Sequence, residues 1–320
     1  KLWNATRFVV GARPVTIPAD AERRLPSETH LGPAERWILS RASATVEAVD
    51  TAMTDFAFGE VTRLLYDAIW NEFCDWGVEL AKVRLADESL PPETREATWW
   101  ALVEALDTYL RLLHPVMPFV TEALWAAIPH RASDPELLIV ARWPAPTGRD
   151  ERVESEVEAI LELVRGLRNA RAESRVEAAT WLPTEVVVPM EMGPTFEALR
   201  PAVERLARAR PLERRLTREA LGQGSGSTDG ALTVIAGELE ALAHRVDGAG
   251  DGTARDAERT RLERELAEAA GWLAAARERL ANEAFIAKAP PNVVQGARAR
   301  EAELADQVAR LEDRLADLGA

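Results

Sequence analysis

Apolar residues between positions 32 and 128 recur at helical spacing in four successive blocks, which predicts an antiparallel helical bundle. Gly32-Pro33 offers an N-cap and a first helical position, after which Ile38, Ala42, Thr45, Val49 and Met53 return to one face. Val61, Leu65, Ile69, Phe73, Trp76, Leu80 and Val83 then form a stripe that matches the 3.6-residue period over about six turns. Pro91-Pro92 starts a helix carrying Trp99, Leu102, Leu106, Tyr109 and Leu113, which ends at His114-Pro115, and Pro118 opens a short one through Leu124 and Trp125. Ahead of these, Leu2, Trp3, Phe8, Val9 and Val10 read as a helix already under way at Lys1, so the chain reads as a piece of something longer.

The pattern changes at 129–152, where Pro129, Pro135, Pro144, Pro146 and Gly148 surround one short β-like run at 137–140; this is a domain boundary. A helix at about 153–173, a strand at 184–188, a helix at 196–209 and strand candidates at 212–216 and 232–235 predict a small α/β unit. The Gly-rich stretches 222–230 and 247–256 lack the Lys-Ser/Thr and the strand-helix frame of a phosphate loop. Leu262, Leu266, Ala269, Leu273, Ala276 and Leu280, then Leu304, Val308, Leu311, Leu315 and Leu318, alternate steps of four and three, the seam of a coiled coil. Pro290-Pro291 breaks the helix between them, so the halves fold back as an antiparallel hairpin whose first arm, some 30 residues, spans roughly 45 Å. The expected fold is mainly α: a bundle at 1–150, an α/β connector at 151–250 and a coiled-coil arm at 251–320.

Composition narrows the chemistry. No apolar run approaches the roughly 18 residues of a membrane span, and no signal-peptide pattern is present, so a cytoplasmic protein without a membrane partner is expected. Cys74 is the only cysteine, which excludes an internal disulfide and a Cys-based zinc site, and His30, His114, His130 and His244 are too scattered to share a metal. A net charge of −14 opposes nonspecific binding of a polyanion, yet Lys1, Lys82 and Lys288 are the only lysines, so the positive charge is nearly all arginine, whose planar fork suits phosphate. Bias of the source genome is the plainer account of that imbalance.

Several motifs carry a family resemblance over nearly the whole length. The runs KLWNATRF at 1–8, ERWILSR at 35–41, LYDAIWNEFCDWGVELAK at 65–82 and YLRLLHPVMPFVTEALW from Tyr109 resemble the anticodon-binding domain of class I synthetases for branched aliphatic amino acids. LRNARAE at 167–173 resembles the start of their connector, and LANEAFIAKAPPNVV at 280–294 resembles the C-terminal coiled coil of valyl-tRNA synthetases. The resemblance implies a bundle that grips the anticodon stem-loop of valine tRNA and a coiled coil that braces its outer corner, working beside catalytic and editing domains; the two matched arms across Pro290-Pro291 fill one seam within the chain and predict a monomer. Gly77 departs from the pattern, which places an aromatic residue after CDW. The HIGH and KMSKS motifs are absent from this chain, so no cofactor is expected here, ATP belongs to the missing Rossmann domain, and the chain alone should be inactive.

Candidate contacts follow from these motifs, each with a plainer reading. Trp70, Asn71 and Asp75 lie in the bundle motif with Cys74; Trp70 is a candidate to stack on an anticodon base, although burial between helices is the expected reading, and Cys74 reads as a small core residue. Arg165, Arg168 and Arg171, with Asn169 and Arg175, form a basic face suited to phosphates or, alternatively, a solvated face pairing with Glu162 or Glu173. Arg200, Arg205, Arg208, Arg210, Arg214, Arg215 and Arg218 form a second cluster whose plain reading is solvated surface. Arg277, Arg279, Lys288 and Asn292 near the hairpin tip are candidates for the tRNA backbone or ordinary solubilising residues. Arg41, by contrast, reads as a bundle residue whose loss does little to tRNA binding. The readings held beside tRNA binding are a coiled-coil module that pairs with protein and a free-standing paralogue that binds tRNA without charging it.

Overall fold

The structure is a computed structural model and describes residues 1–223, 231–244, 252–282, 285–286 and 289–319. The chain divides into two compact units, Lys1–Glu158 with Pro194–Ala202, and Ala159–Gly193 with Val203–Ala320.

In the first unit, α1 (Leu2–Gly11), α2 (Pro33–Thr54), α3 (Phe58–Tyr66), α4 (Val78–Leu85), α5 (Pro92–Leu113) and α6 (Pro118–Trp125) build the expected bundle. Helix α5 forms its centre, because Trp99, Trp100, Leu102, Leu106, Tyr109 and Leu110 are all buried and leave the helix almost no wet face. The Trp99 indole N–H donates to the Val9 carbonyl at 2.7 Å and ties α1 to α5. At the start of α2 the Gly32 N–H donates to Glu35 Oε2 at 2.9 Å, while Glu35 Oε1 accepts from Thr98 of α5 at 2.8 Å and pairs with Arg84 of α4 at 2.9 Å. One capping carboxylate therefore fixes three helices.

The long stripe holds, but not in one helical register. Between α3 and α4 the segment Asp67–Gly77 is π-helical, closing its hydrogen bonds five residues apart. Val61, Leu65, Ile69 and Phe73 step by four, and in an α-helix each such step drifts by about 40°. The wider register offsets that drift and keeps Ile69, Phe73 and Trp76 buried. Gly77 closes the segment where a Cβ would stand 3.1 Å from Ile38 Cδ1, so the missing aromatic group lets α2 approach. The β-like run at 137–140 is a correction: it forms a 3₁₀ turn, Leu138–Val140, whose Leu138 and Ile139 N–H groups donate to the Glu122 carboxylate at 2.8 and 3.2 Å. A carboxylate takes the donors that a neighbouring strand would otherwise take.

Helix α7 (Glu151–Glu173) begins in the first unit and continues in the second. There, β1 (Leu182–Val187), β2 (Ala209–Arg215), β3 (Leu232–Ala236) and β4 (Leu239–Ala243) make a sheet ordered β2-β1-β4-β3, and α8 (Gly193–Ala207), of which Pro194–Ala202 belongs to the first unit, connects β1 to β2. The β1–β2 pair is parallel across the α8 connection, and the other two pairs are antiparallel. Strand β4 is absent from the sequence reading because Leu239-Glu-Ala-Leu-Ala243 has neither alternation nor β-branched residues; all five are buried, the mark of a strand covered on both faces. Its Glu240 is held by Arg218 at 2.8 Å and Arg314 at 2.5 Å. The turn into β4 passes through Gly237 at φ 54°, a conformation that favours glycine.

Gly166 of α7 lies against β3, and a Cβ there would stand 2.4 Å from Val234 Cγ1. Gly166→Ala should therefore lower stability by about 1–2 kcal/mol, overpacking outweighing the helix-propensity gain of about 1 kcal/mol. Thermal denaturation checks this; a rise in melting temperature would contradict the close approach.

Helices α9 (Gly252–Ala281) and α10 (Pro291–Gly319) form the expected hairpin around Leu262, Ala269, Leu273, Leu304 and Leu311. The seam thus pairs within the chain, and Arg277 of α9 meets Glu301 of α10 at 2.9 Å. Its base is joined to the sheet: Ile235 packs on the Leu262–Leu311 cluster, the Thr233 N–H donates to Glu258 at 2.9 Å, and Arg261 and Arg310 donate to the carbonyls of Thr233 and Gly237. The Gly-rich stretches fall largely outside the described residues.

Candidate nucleic-acid interface

The π-helical segment puts one open aromatic group on the bundle. Trp70 is 37% exposed, which corrects the expectation that it is buried between helices: Ile69, Phe73 and Trp76 already fill the inward face. Its indole stacks on Tyr66 at 5.5 Å and 12°, and Lys1 Nζ sits 4.4 Å from its ring. Lys1 Nζ also pairs with Asp75 at 2.6 Å, and Asn71 donates to Asp67 at 3.2 Å, so both polar neighbours of Trp70 are held in place. Beside this stack opens an apolar cleft of about 380 Å³, lined by Leu2, Trp3, Tyr66, Trp70, Val116 and Met117. Trp3, Tyr66 and Met117 escaped the sequence reading, although Tyr66 lies four residues before Trp70, the spacing that stacks side chains on one helix face. Cys74 is half-buried beneath this surface, and burial pushes its thiol up.

The basic face of α7 is divided. Arg165, Arg168 and Asn169 are exposed, with the Arg168 Nε donating to the Leu206 carbonyl at 2.8 Å. Arg171 is buried and donates to the carbonyls of Thr180 at 2.8 Å and Glu177 at 3.2 Å; it braces the turn after α7 and is no surface cation. Three-residue spacing on a helix leaves the last arginine where the chain folds back over it. Arg175 is exposed and has φ 53°. Glu173, one proposed partner of this face, pairs instead with Arg264 of α9 at 2.7 Å.

Much of the second arginine cluster is internally paired. Arg200 meets Glu197 at 2.7 Å, Arg210 meets Glu204 at 2.8 Å, and Arg215 meets Glu213 at 2.6 Å and the buried Glu185 at 3.2 Å. Arg208 and Arg210 lie over Trp181, 5.0 and 4.8 Å from its centroid. On the hairpin, Arg277 is engaged with Glu301, Arg279 lies 4.5 Å from the Phe285 centroid and Asn292 is exposed, while Lys288 lies outside the described residues.

Arg41, read from the sequence as a bundle residue, is engaged within the bundle. It pairs with Glu72 at 2.7 Å, Glu154 at 3.2 Å and Glu158 at 3.7 Å. Burial alone would push the Glu154 carboxyl up, but hydrogen bonds from Arg149, Ser40 and Arg41 hold it below its ordinary range. Among the described residues no group of His, Cys, Asp and Glu side chains is placed to hold a metal ion, and no helix is long and apolar enough to cross a membrane.

Two family models match this architecture: the anticodon-binding domain of tRNA ligase over residues 35–187, and the valyl tRNA synthetase tRNA binding arm over 256–319. The chain is 37% identical to the valine–tRNA ligase of Dehalococcoides mccartyi over 97% of its own length and 34% of that relative. Those of Lactiplantibacillus plantarum and Streptomyces coelicolor are 33% and 34% identical over 100% and 99% of the chain, and over 34% and 33% of their own lengths. The chain belongs to the valine–tRNA ligase family. It corresponds to a C-terminal portion and spans about a third of the length of these relatives. Family membership does not favour the protein-pairing coiled coil or the free-standing paralogue: the hairpin seam is matched by a tRNA-binding arm and is filled from within the chain.

Proposed function

We propose that this chain holds valine tRNA for a valine–tRNA ligase, the bundle gripping the anticodon stem-loop and the hairpin bracing the outer corner. The observation that carries the reading is the half-exposed Trp70, stacked on Tyr66 at the mouth of an apolar cleft, within the unit matched by an anticodon-binding model. An indole face accepts any base and stacks with about 1–3 kcal/mol of binding energy. Asp75 and Asn71 flank it with fixed acceptors and donors, suited to a base edge. Arg165, Arg168, Asn169, Arg175 and Asn292 are exposed positions for the tRNA backbone, Lys288 and Arg277 are hairpin candidates, and Arg171 acts from beneath the surface.

Amino-acid activation and ATP use belong in this proposal to a catalytic domain outside this sequence, with editing in another. In this proposal the protein works in the cytoplasm, and as a monomer because the hairpin satisfies its own seam.

Filter binding tests the reading directly. Trp70→Ala should weaken binding of valine tRNA by about tenfold, equivalent to 1.4 kcal/mol, with an unchanged unfolding midpoint. Arg7→Ala, an exposed change on α1, serves as the control in place of Arg41. Equal binding by wild type and Trp70→Ala would remove the stacking role; failure of the wild-type chain to bind valine tRNA at all would remove the proposal.

A further inference from the structure

The C-terminal ends of α7 and α8 gather positive charge with little compensation. Arg171 is 7% exposed, yet its only described partners are two backbone carbonyls, and its Nη1 has no hydrogen-bond partner within the protein. Carbonyl dipoles do not neutralise a guanidinium, and a buried charge without a counter-charge is costly. Two carboxylates of these helices are otherwise engaged, Glu204 by Arg210 and Glu173 by Arg264. A second cation adds to the imbalance. Burial first, and then the charge of Arg208, pushes the Arg171 guanidinium below its ordinary value.

The local backbone explains why Arg208 is there. It closes α8 in the left-handed conformation at φ 55°, and its carbonyl accepts the Leu182 N–H at 2.9 Å, which fixes the cap beside the start of β1. The residue before β1 is Trp181, and the Arg208 guanidinium lies 5.0 Å from its centroid. An arginine resting on an indole keeps its planar fork oriented and loses less freedom on binding an anion. Arg168 reaches the same corner through Leu206.

We propose that the exposed Arg208, supported on Trp181 and backed by the buried charge of Arg171, forms a phosphate-binding site on the connector that takes a backbone phosphodiester of RNA. The planar fork of Arg208 can give two parallel N–H groups to the oxygens of a phosphate, and the Arg171 charge beside the adjoining Thr180 adds to the attraction. The site rests on the tRNA-holding reading above and deepens it by giving the connector a contact of its own, separate from the Trp70 cleft and the hairpin tip.

Arg171 also braces the turn at 177–180, so its own replacement risks the fold. The informative variants are Arg208→Gly, which removes the charge and suits the left-handed cap, and Trp181→Leu, which removes the support. Filter binding of valine tRNA by the whole chain across a KCl series should show the log-log salt slope shallower by about 1 in Arg208→Gly, with affinity several-fold weaker at low salt. Trp181→Leu should weaken binding by a smaller factor. An unchanged slope and affinity in Arg208→Gly would overturn the proposal. A second arm melts the proteins in sodium phosphate and in sodium chloride of equal ionic strength. Stabilisation of wild type by inorganic phosphate, lost in Arg208→Gly while the tRNA slope stays put, would assign the site to free phosphate and overturn its RNA role. If the wild-type chain held no tRNA, the tRNA-holding reading would fall, and the phosphate arm alone would decide the anion site: a rise in melting temperature abolished by Arg208→Gly supports it, and no rise overturns it.

Discussion

Replacing Arg23 by alanine should destabilise the bundle by about 3–5 kcal/mol, the cost of breaking a buried ion pair from one side. Arg23 is 4% exposed in the segment between α1 and α2, where its guanidinium meets Asp107 of α5 and lies 3.3 Å from Asp134 and 3.7 Å from Glu104. Arg111 joins the same carboxylates, at 2.9 Å from Asp107 and 2.8 Å from Asp134, and Arg131 meets Glu104 at 2.7 Å. Removing Arg23 leaves carboxylates in a site built to neutralise them. Urea denaturation should show a lower midpoint with the same slope; a loss under about 1 kcal/mol would mean that Arg111 and Arg131 suffice.

The same network fixes the sign of the pH dependence. Burial alone would push the Asp134 carboxyl up, but the Arg131 N–H, the Arg111 side chain and the charge of Arg23 prevail and hold it below the usual carboxylate range. A carboxyl depressed in the folded state adds stability above its unfolded value of about 3.9, and that stability is lost as pH falls through the folded value. Glu154 and Glu185 are depressed too and act in the same direction. The acid limb of the wild-type stability curve should therefore be steeper than that of Arg23→Ala.

Shortening the hairpin should separate two ways of holding RNA. Because its base is joined to the sheet through Glu258, Arg261, Arg310 and Arg314, removing the whole arm would strip the connector of part of its support. The Arg277–Glu301 pair marks which residues of the two helices face each other, so a cut that removes 273–305 and closes with a short turn keeps the cluster of Leu262, Ala269 and Leu311 with Leu266 and Val308 and loses the outer part. Affinity for full-length valine tRNA should fall by about tenfold or more, about 1.4 kcal/mol, while an isolated anticodon stem-loop binds as before. Equal weakening of both RNAs would mean that the arm acts through the fold of the connector and not through contact.

The sequence by itself determined the elements whose signals are local. The bundle helices, the hairpin and its Pro290-Pro291 break follow from apolar spacing and from proline's missing N–H, which act within a few residues. Motif order also carried the family. What it left undecided depends on partners far along the chain. Strand β4 forms because covering on both faces outweighs the weak β-propensity of Leu239-Glu-Ala-Leu-Ala243, and the run at 137–140 turns because Glu122 takes its N–H groups. The π register of Asp67–Gly77 answers to packing against α2 and α5. Among the arginines the division is sharpest: composition makes Arg23, Arg41, Arg171 and Arg208 alike, and only tertiary structure separates an ion-pair centre, a brace for three glutamates, a buried cation on backbone carbonyls and an exposed guanidinium on Trp181. A charged side chain is read through what neutralises it, and the neutralising group here lies up to 113 residues away.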